Sequence, residues 1–350
     1  MMTLQTVGIV GTGAMGRGIA EVCAQSGFVT ILVKATPGPL DSARRAIAES
    51  LGRAVKKGKL TPEKLDATLA RLTLTSDLDA LSCCELVIES IVEDLDKKRA
   101  LFAELEARLS PATVLASNTS SLPLATLAAG LRAPNRFLGL HFFSPVPAMK
   151  LVEVATTTRT YPHAVELAQQ LVAALAKTPV LVGDSSGYIV NRLLVPYLLD
   201  GIAALESRVA PAEAIDTAMR LGCGHPMGPL ALADAIGLDV VYAMAKTMHR
   251  ELADRRYSPP ALLRRLVLNH HLGKKTKLGL YDYSVDPPRQ SDALWPAEAR
   301  ELTSPPPPPP GSPDLSTAPE ESLGPTASPP AASAEAAVSA TPSAPVMMES

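Results

Sequence analysis

The 350-residue chain is poor in cysteine, has no long apolar run and carries almost no net charge. Its four cysteines are Cys23, Cys83, Cys84 and Cys223. None forms a Cys-x-x-Cys pair, and adjacent Cys83 and Cys84 suit a disulfide badly. The thiols read as reduced and the chain as cytoplasmic. No apolar run reaches the roughly 18 residues that mark a membrane span. The N-terminus shows no basic segment leading into an apolar signal stretch, and it reads as a strand within ten residues. A formal net charge of −2 offers none of the basic excess expected of a partner for nucleic acid or an anionic membrane. His163, His225, His249, His270 and His271 have no metal-type residues at ligand spacing, so no metal site is expected.

Against these absences, hydrophobic residues make up 47% of the chain, ample for a core. The length suggests two domains of roughly 100–200 residues each. Thr6–Val10 reads as a short apolar strand running into Gly11, Gly13 and Gly16, with a helical pattern over 15–26. Strand, Gly-x-Gly-x-x-Gly and helix, in that order, form a dinucleotide fingerprint in its required context. Gly11 allows a tight turn, Gly13 lets backbone approach a pyrophosphate, and Gly16 lets the helix pack on the strand. Unpaired N–H groups at the helix start, from Ala14 and Met15 onward, suit phosphate oxygens.

Val29–Val33 is the second strand. An acid is expected at its end to hold the adenosine ribose, yet Lys34 stands there and the nearest carboxylate is Asp41. A lysine can face the 2′-phosphate of NADP, or it can be a solvated strand end beside a loosely held NAD. A helix over 40–57 ends in Lys56 and Lys57, with Gly58 at the C′ position. That basic end either complements the helix dipole or meets substrate phosphates. Thr61 and Pro62 start the next helix as cap and first residue. Strands at 72–75, 86–89 and 113–117 and a helix at 94–109 follow. The last of these strands enters a polar loop containing Asn118, Ser120 and Ser121, which is either a ligand edge or an N-cap. The alternation to residue 155 indicates a doubly wound sheet.

Two apolar runs, 137–143 and 151–155, flank a connection carrying Pro145 and Pro147. Proline cannot donate to a ladder, so the runs are separate strands joined by a loop. One strand carries a lone histidine, His141, and the other a lone carboxylate, Glu153. The pair is either a base with its orienting acid or two core residues satisfied locally. Residues 187–205 form a long helical run, apolar on most faces, which must bury itself against other helices or a second subunit. Asn191 sits early in that run and needs hydrogen-bond partners. Helices over 211–221, 230–252 and 259–269 complete an all-helical region. Residues 1–184 thus form a Rossmann-type domain and 185–285 a helical one. From 286 the chain turns proline-, alanine- and serine-rich, with six prolines at 305–310. Such a tail cannot bury enough apolar surface to offset its ordering entropy and is expected to be disordered.

Several motifs match a known family: VGIVGTGAMGRGIA (7–20), ASNTSSL (116–122), GLHFFSPVP (139–147), MKLVEV (149–154), GYIVNR (187–192), DTAM (216–219), HPMGPL (225–230) and GKKT (273–276). In this order the chain resembles the L-3-hydroxyacyl-CoA dehydrogenases, and within them the bacterial 3-hydroxybutyryl-CoA branch. The resemblance implies an NAD(P)-dependent enzyme acting on short-chain 3-hydroxyacyl-CoA, with His141 as general base and Glu153 orienting it. It implies that Ser120 and Asn191 bond the oxygen on substrate C3. Glu93, Lys98 and Asn118 match cofactor-contacting positions, and Ser50 and Lys57 match positions near CoA. It further implies a homodimer formed through the helical domain. Lys34 departs from the family's acid, Ser144 from its asparagine and Lys277 from its glycine. Two other readings stay open: a dehydrogenase of a free hydroxy acid, and a binding protein on the same fold that acts through its tail, since fold alone does not fix function.

Overall fold

The N-terminal half alternates strand and helix because its apolar residues switch between periods of about 2 and 3.6. The computed structural model describes residues 4–36 and 38–294. The elements are β1 (Thr6–Val10), α1 (Ala14–Gln25), β2 (Val29–Val33), α2 (Asp41–Lys56), α3 (Pro62–Ala70), β3 (Leu72–Thr75), β4 (Leu86–Glu89), α4 (Leu95–Arg108), β5 (Val114–Ser117), α5 (Leu124–Ala128), β6 (Phe137–Phe142), β7 (Leu151–Thr156), α6 (Pro162–Ala174) and β8 (Thr178–Gly183). They build one eight-stranded sheet in the order β3-β2-β1-β4-β5-β6-β7-β8. The strands from β3 to β6 run parallel, as in a doubly wound Rossmann sheet.

The polarity reverses at β7, which pairs antiparallel with β6, and β8 then pairs parallel with β7. The reversal has a simple cause. Only residues 143–150 join β6 to β7, and a parallel crossover needs a dozen or more. Successive side chains on a strand point to opposite faces, so each strand feeds two cores. Ile9, Ile88, Leu138, Leu140 and Val154 pack with α1 and α6 on one face. Val10, Val87, Leu115, Phe137 and Ala155 pack with α4 and α5 on the other.

The change to helix falls between the end of β8 at Gly183 and the start of α7 (Val190–Glu206). Then follow α8 (Ala212–Cys223), α9 (Pro229–Ile236), α10 (Leu238–Leu252) and α11 (Ala261–Leu268). Their core is Leu198, Ile202, Leu230, Val241, Tyr257, Leu262 and Leu266. The single helix expected over 230–252 is two, because Gly237 adopts φ +107 and breaks it. Two buried carboxylates brace this region. Asp216 accepts from the Leu230 and Ala231 amides at the start of α9 and from Tyr281 Oη. Asp234 accepts from the Leu280 and Tyr281 amides.

The helical region is not wholly helical, since β9 (Tyr281–Asp282) pairs antiparallel with β10 (Arg289–Gln290). The fold also continues past the expected boundary at 285: Ser291 and Leu294 are buried. The proline-rich remainder, including 305–310, lies outside the described residues.

Candidate active site

His141 is the fifth residue of β6 and Glu153 the third of β7, and the antiparallel register sets them directly opposite each other. Alternation puts both on the face opposite Leu140 and Val154. Glu153 Oε2 lies 2.7 Å from His141 Nδ1. Its Oε1 accepts from the amides of Ile189 and Val190 at 3.0 and 2.9 Å, where α7 begins. Burial pushes the Glu153 carboxyl upward, but the bonds from His141 and the two amides outweigh it and hold the group below its ordinary value. The ring of His141 lies between Phe143 and Tyr188, at centroid distances of 4.5 and 5.5 Å. Asn191 is buried one residue beyond Val190, so the start of α7 brings it beside the carboxylate's anchor.

The glycine turn lies at the same edge of the sheet, where the parallel strands end. Gly11 takes φ +120, and its amide donates to Val33 O at 2.8 Å. A Cβ at Gly11 would fall 2.2 Å from Ser90 O, and one at Gly16 would fall 1.9 Å from Gly11 O. A Cβ at Gly13 would meet nothing within 4 Å. Two glycines are therefore required by the protein's own backbone, and the third keeps an open approach to the N-terminus of α1. Its cap has no side-chain bond, and the first turn has no acid. The N–H groups of Ala14, Met15 and Gly16 suit a pyrophosphate, so these residues fit a dinucleotide. Lys34 follows β2 directly. Its amide donates to Thr75 O, and its Nζ donates to Pro39 O at 3.3 Å.

Between turn and dyad lies the loop after β5. Asn118 accepts from the Phe142 amide at 2.9 Å and donates to Ser90 Oγ at 3.3 Å, bracing the residue next to His141. Glu93 Oε1 gathers the loop, accepting from Thr119 Oγ1, the Ser120 and Ser121 amides and Ser121 Oγ. Burial raises the Glu93 carboxyl, but Lys98 and these donors outweigh it and set it low. Lys98 is 1% exposed and bridges Glu93 at 3.1 Å and Glu89 at 2.6 Å. Its ammonium therefore faces carboxylates. Glu89, fully buried, also accepts from Ser117 Oγ and the Ile91 amide. Sequence reasoning passed over it; the signal was an acid closing an otherwise apolar strand. It also passed over Asp184, whose carboxylate accepts from the Leu124 and Ala125 amides and caps α5.

Ser50 and Lys57 stand apart from this edge, on α2 and at its C-cap. Gly58 takes φ +67, and the Gly58 and Lys59 amides close on Val55 O and Ala54 O, leaving Lys56 and Lys57 exposed. Ser50 Oγ donates to Glu21 Oε1 at 3.1 Å, so a phosphate would have to win that hydrogen. Burial raises the Glu21 carboxyl against the lowering influence of Ser50 and Arg53.

A glycine turn open to a dinucleotide and an imidazole–carboxylate pair at one sheet edge are the parts a nicotinamide-dependent dehydrogenase needs. Comparison with known proteins narrows the class. The family model described as "3-hydroxyacyl-CoA dehydrogenase, NAD binding domain" matches residues 6–185, and "3-hydroxyacyl-CoA dehydrogenase, C-terminal domain" matches 187–283. The chain belongs to the 3-hydroxyacyl-CoA dehydrogenase family and is an oxidoreductase of that kind, with an NAD-binding N-terminal part.

A 3-hydroxybutyryl-CoA dehydrogenase of Mycobacterium tuberculosis is 44% identical over 282 residues, 80% of this chain and 99% of that one. A 3-hydroxyadipyl-CoA dehydrogenase of Escherichia coli is 42% identical over 82% of this chain and 60% of that one. The crystal structure of the (S)-3-hydroxybutyryl-CoA dehydrogenase of Ralstonia eutropha superposes with a TM-score of 0.77 at 39% identity, covering 81% of this chain and 100% of that chain.

Proposed function

We propose that this chain interconverts short-chain (S)-3-hydroxyacyl-CoA and 3-oxoacyl-CoA, with 3-hydroxybutyryl-CoA as the type substrate. The carrying observation is the His141–Glu153 pair, 2.7 Å apart and tied by Glu153's other oxygen to the start of α7. In the neutral imidazole Nδ1–H donates to Glu153, which leaves the Nε2 lone pair as the base. Nε2 removes the 3-hydroxyl proton, and the ionised carboxylate stabilises the imidazolium that forms. The Ser120 hydroxyl and Asn191 amide hold the C3 oxygen as its bond order rises. A nicotinamide held at the glycine turn would supply the hydride acceptor for C3. The proton goes to His141, and a ketone remains.

NAD is the cofactor of this reading. Lys34 in place of the usual acid removes the carboxylate that would repel a 2′-phosphate, so NADP is the second coenzyme of this reading. Lys57, with Ser50 once its hydrogen leaves Glu21, meets the CoA phosphates. Exposed apolar Leu193, Leu221 and Leu268 on α7, α8 and α11 favour a homodimer through the helical region. No helix among the described residues is long and apolar enough to cross a membrane. The free, exposed thiols Cys83 and Cys223 suit a reducing cytoplasm.

The thioester assignment is tested with Lys57→Ala. An exposed cation on a phosphate is worth roughly 1 kcal/mol, so the KM for acetoacetyl-CoA is expected to rise about fivefold with kcat preserved. An unchanged KM favours a free hydroxy acid as substrate.

A further inference from the structure

Residues 143–150 connect the strand of His141 to the strand of Glu153. The turn in this loop is built on Pro145, whose carbonyl accepts from the Ala148 and Met149 amides at 3.0 and 3.1 Å. The carbonyls of Val146 and Met149 both accept from one ammonium, Lys177 Nζ, each at 2.6 Å. Lys177 is 9% exposed and directly precedes β8. The next amide, of Thr178, donates to Lys150 O at 2.7 Å and closes the loop's exit.

Among the described residues no carboxylate pairs with Lys177. A cation buried without a counter-ion is costly, and two short charge-assisted bonds to the turn are what offset that cost. The loop reaches the dinucleotide side as well. Val146 is buried against α1, and a Cβ at Gly18 would fall 2.8 Å from Val146 Cβ. One turn thus touches the helix that follows the glycines and leads into both strands of the dyad.

We propose that Lys177 is a positioning residue of this dehydrogenase: its ammonium locks the 146–149 turn against α1 and so fixes the distance between the His141 base and the dinucleotide site. This rests on the function proposed above. The sheet sets His141 opposite Glu153 and in line with the glycine turn; Lys177 fixes the remaining freedom, the seating of the loop between the two strands on α1. Hydride transfer is sensitive to that spacing, since misplacement by about 1 Å can cost on the order of 10²-fold in rate.

The test uses the full-length enzyme with acetoacetyl-CoA and NADH. Lys177→Met is expected to lower kcat by about tenfold or more, while KM and the NADH dissociation constant from fluorescence titration stay within about threefold. The primary isotope effect on kcat with 4-deuterated NADH is expected to rise as hydride transfer becomes the slow step. Lys177→Arg, which can still donate to both carbonyls, is expected to recover most of the rate. A folded Lys177→Met enzyme with a lowered Tm but kcat and isotope effect within about twofold of wild type overturns the proposal.

Should Lys177→Met not fold, Gly18→Ala pushes the same turn from the α1 side and decides the matter by the same readouts. A folded Gly18→Ala enzyme with wild-type kcat and isotope effect counts against the proposal. Wild-type turnover is measured in the same series. An inactive wild type sinks the function itself; an active wild type with unaffected variants sinks only the role of Lys177.

Discussion

At the residue scale, the proposed chemistry rests on a histidine and a carboxylate whose residue types were legible in the sequence. Their pairing was one of two readings there, and the contact itself comes from the strand register, which sets residues 12 positions apart opposite each other on one face. Replacing His141 with Gln is expected to lower kcat by roughly 10²–10⁴-fold with the circular dichroism spectrum unchanged; near-wild-type turnover contradicts the base assignment. Glu153 is set below its ordinary value of 4.5 in the fold. A depressed carboxyl adds stability above its unfolded value, and that stability is lost as pH falls through the folded one. Glu153→Gln should therefore show a shallower loss of Tm on acidification below about pH 5 than wild type; parallel curves contradict this. Lys34→Asp is expected to move the ratio of kcat/KM values for NADH and NADPH toward NADH. An unmoved ratio means that Lys34 does not read the ribose. Sequence resemblance assigned Glu93 and Lys98 cofactor contacts, and the fold gives them a second task. They form an ionic brace with Glu89 in which Lys98 and Glu89 are buried, and Glu89 is a partner that no periodic spacing points to.

At the element scale, the strands β1, β2, β3 and β4 and the glycine turn read directly from short apolar runs and breakers. So did the Thr61 cap, whose hydroxyl accepts from the Lys64 amide at 3.3 Å, and Gly58 closing α2. The reversal at β7 was less visible, because polarity follows from connection length rather than from the strand's own pattern. The break at Gly237 was available as a glycine inside a helical pattern but was masked by apolar residues on both sides. The three glycines of the turn make separable predictions. Gly16→Ala forces a Cβ to within 1.9 Å of Gly11 O, and overpacking of this kind costs about 1–3 kcal/mol. Both Tm and NADH affinity should fall. Gly13→Ala meets open space, so its stability should change by less than about 1 kcal/mol while NADH binding still weakens. Equal losses of Tm in the two variants contradict the division between a structural and a ligand-facing glycine.

At the scale of the whole molecule, carboxylates cap chain starts: one ties the helical region to the sheet and two brace elements within that region. Glu153 receives the start of α7, Asp216 the start of α9, and Asp234 the chain entering β9. Burial raises the Asp234 carboxyl from 3.8 to about 6. A raised carboxyl is stabilising while protonated, so its contribution is present below the unfolded value and lost as pH rises through about 6. Asp234→Asn should remove that slope from the pH dependence of Tm. The tail reading depended on composition alone, and it placed the end of the fold before Ser291 and Leu294, whose burial comes from packing rather than pattern.

The proposed activity of this chain is the interconversion of 3-hydroxyacyl-CoA and 3-oxoacyl-CoA thioesters. The most direct test is the loss of NADH absorbance on adding acetoacetyl-CoA to the purified, folded protein, with NADPH in a parallel cuvette. Oxidation of NADH that depends on the thioester and disappears in His141→Gln is the predicted result. Oxidation of neither coenzyme by a folded protein contradicts it.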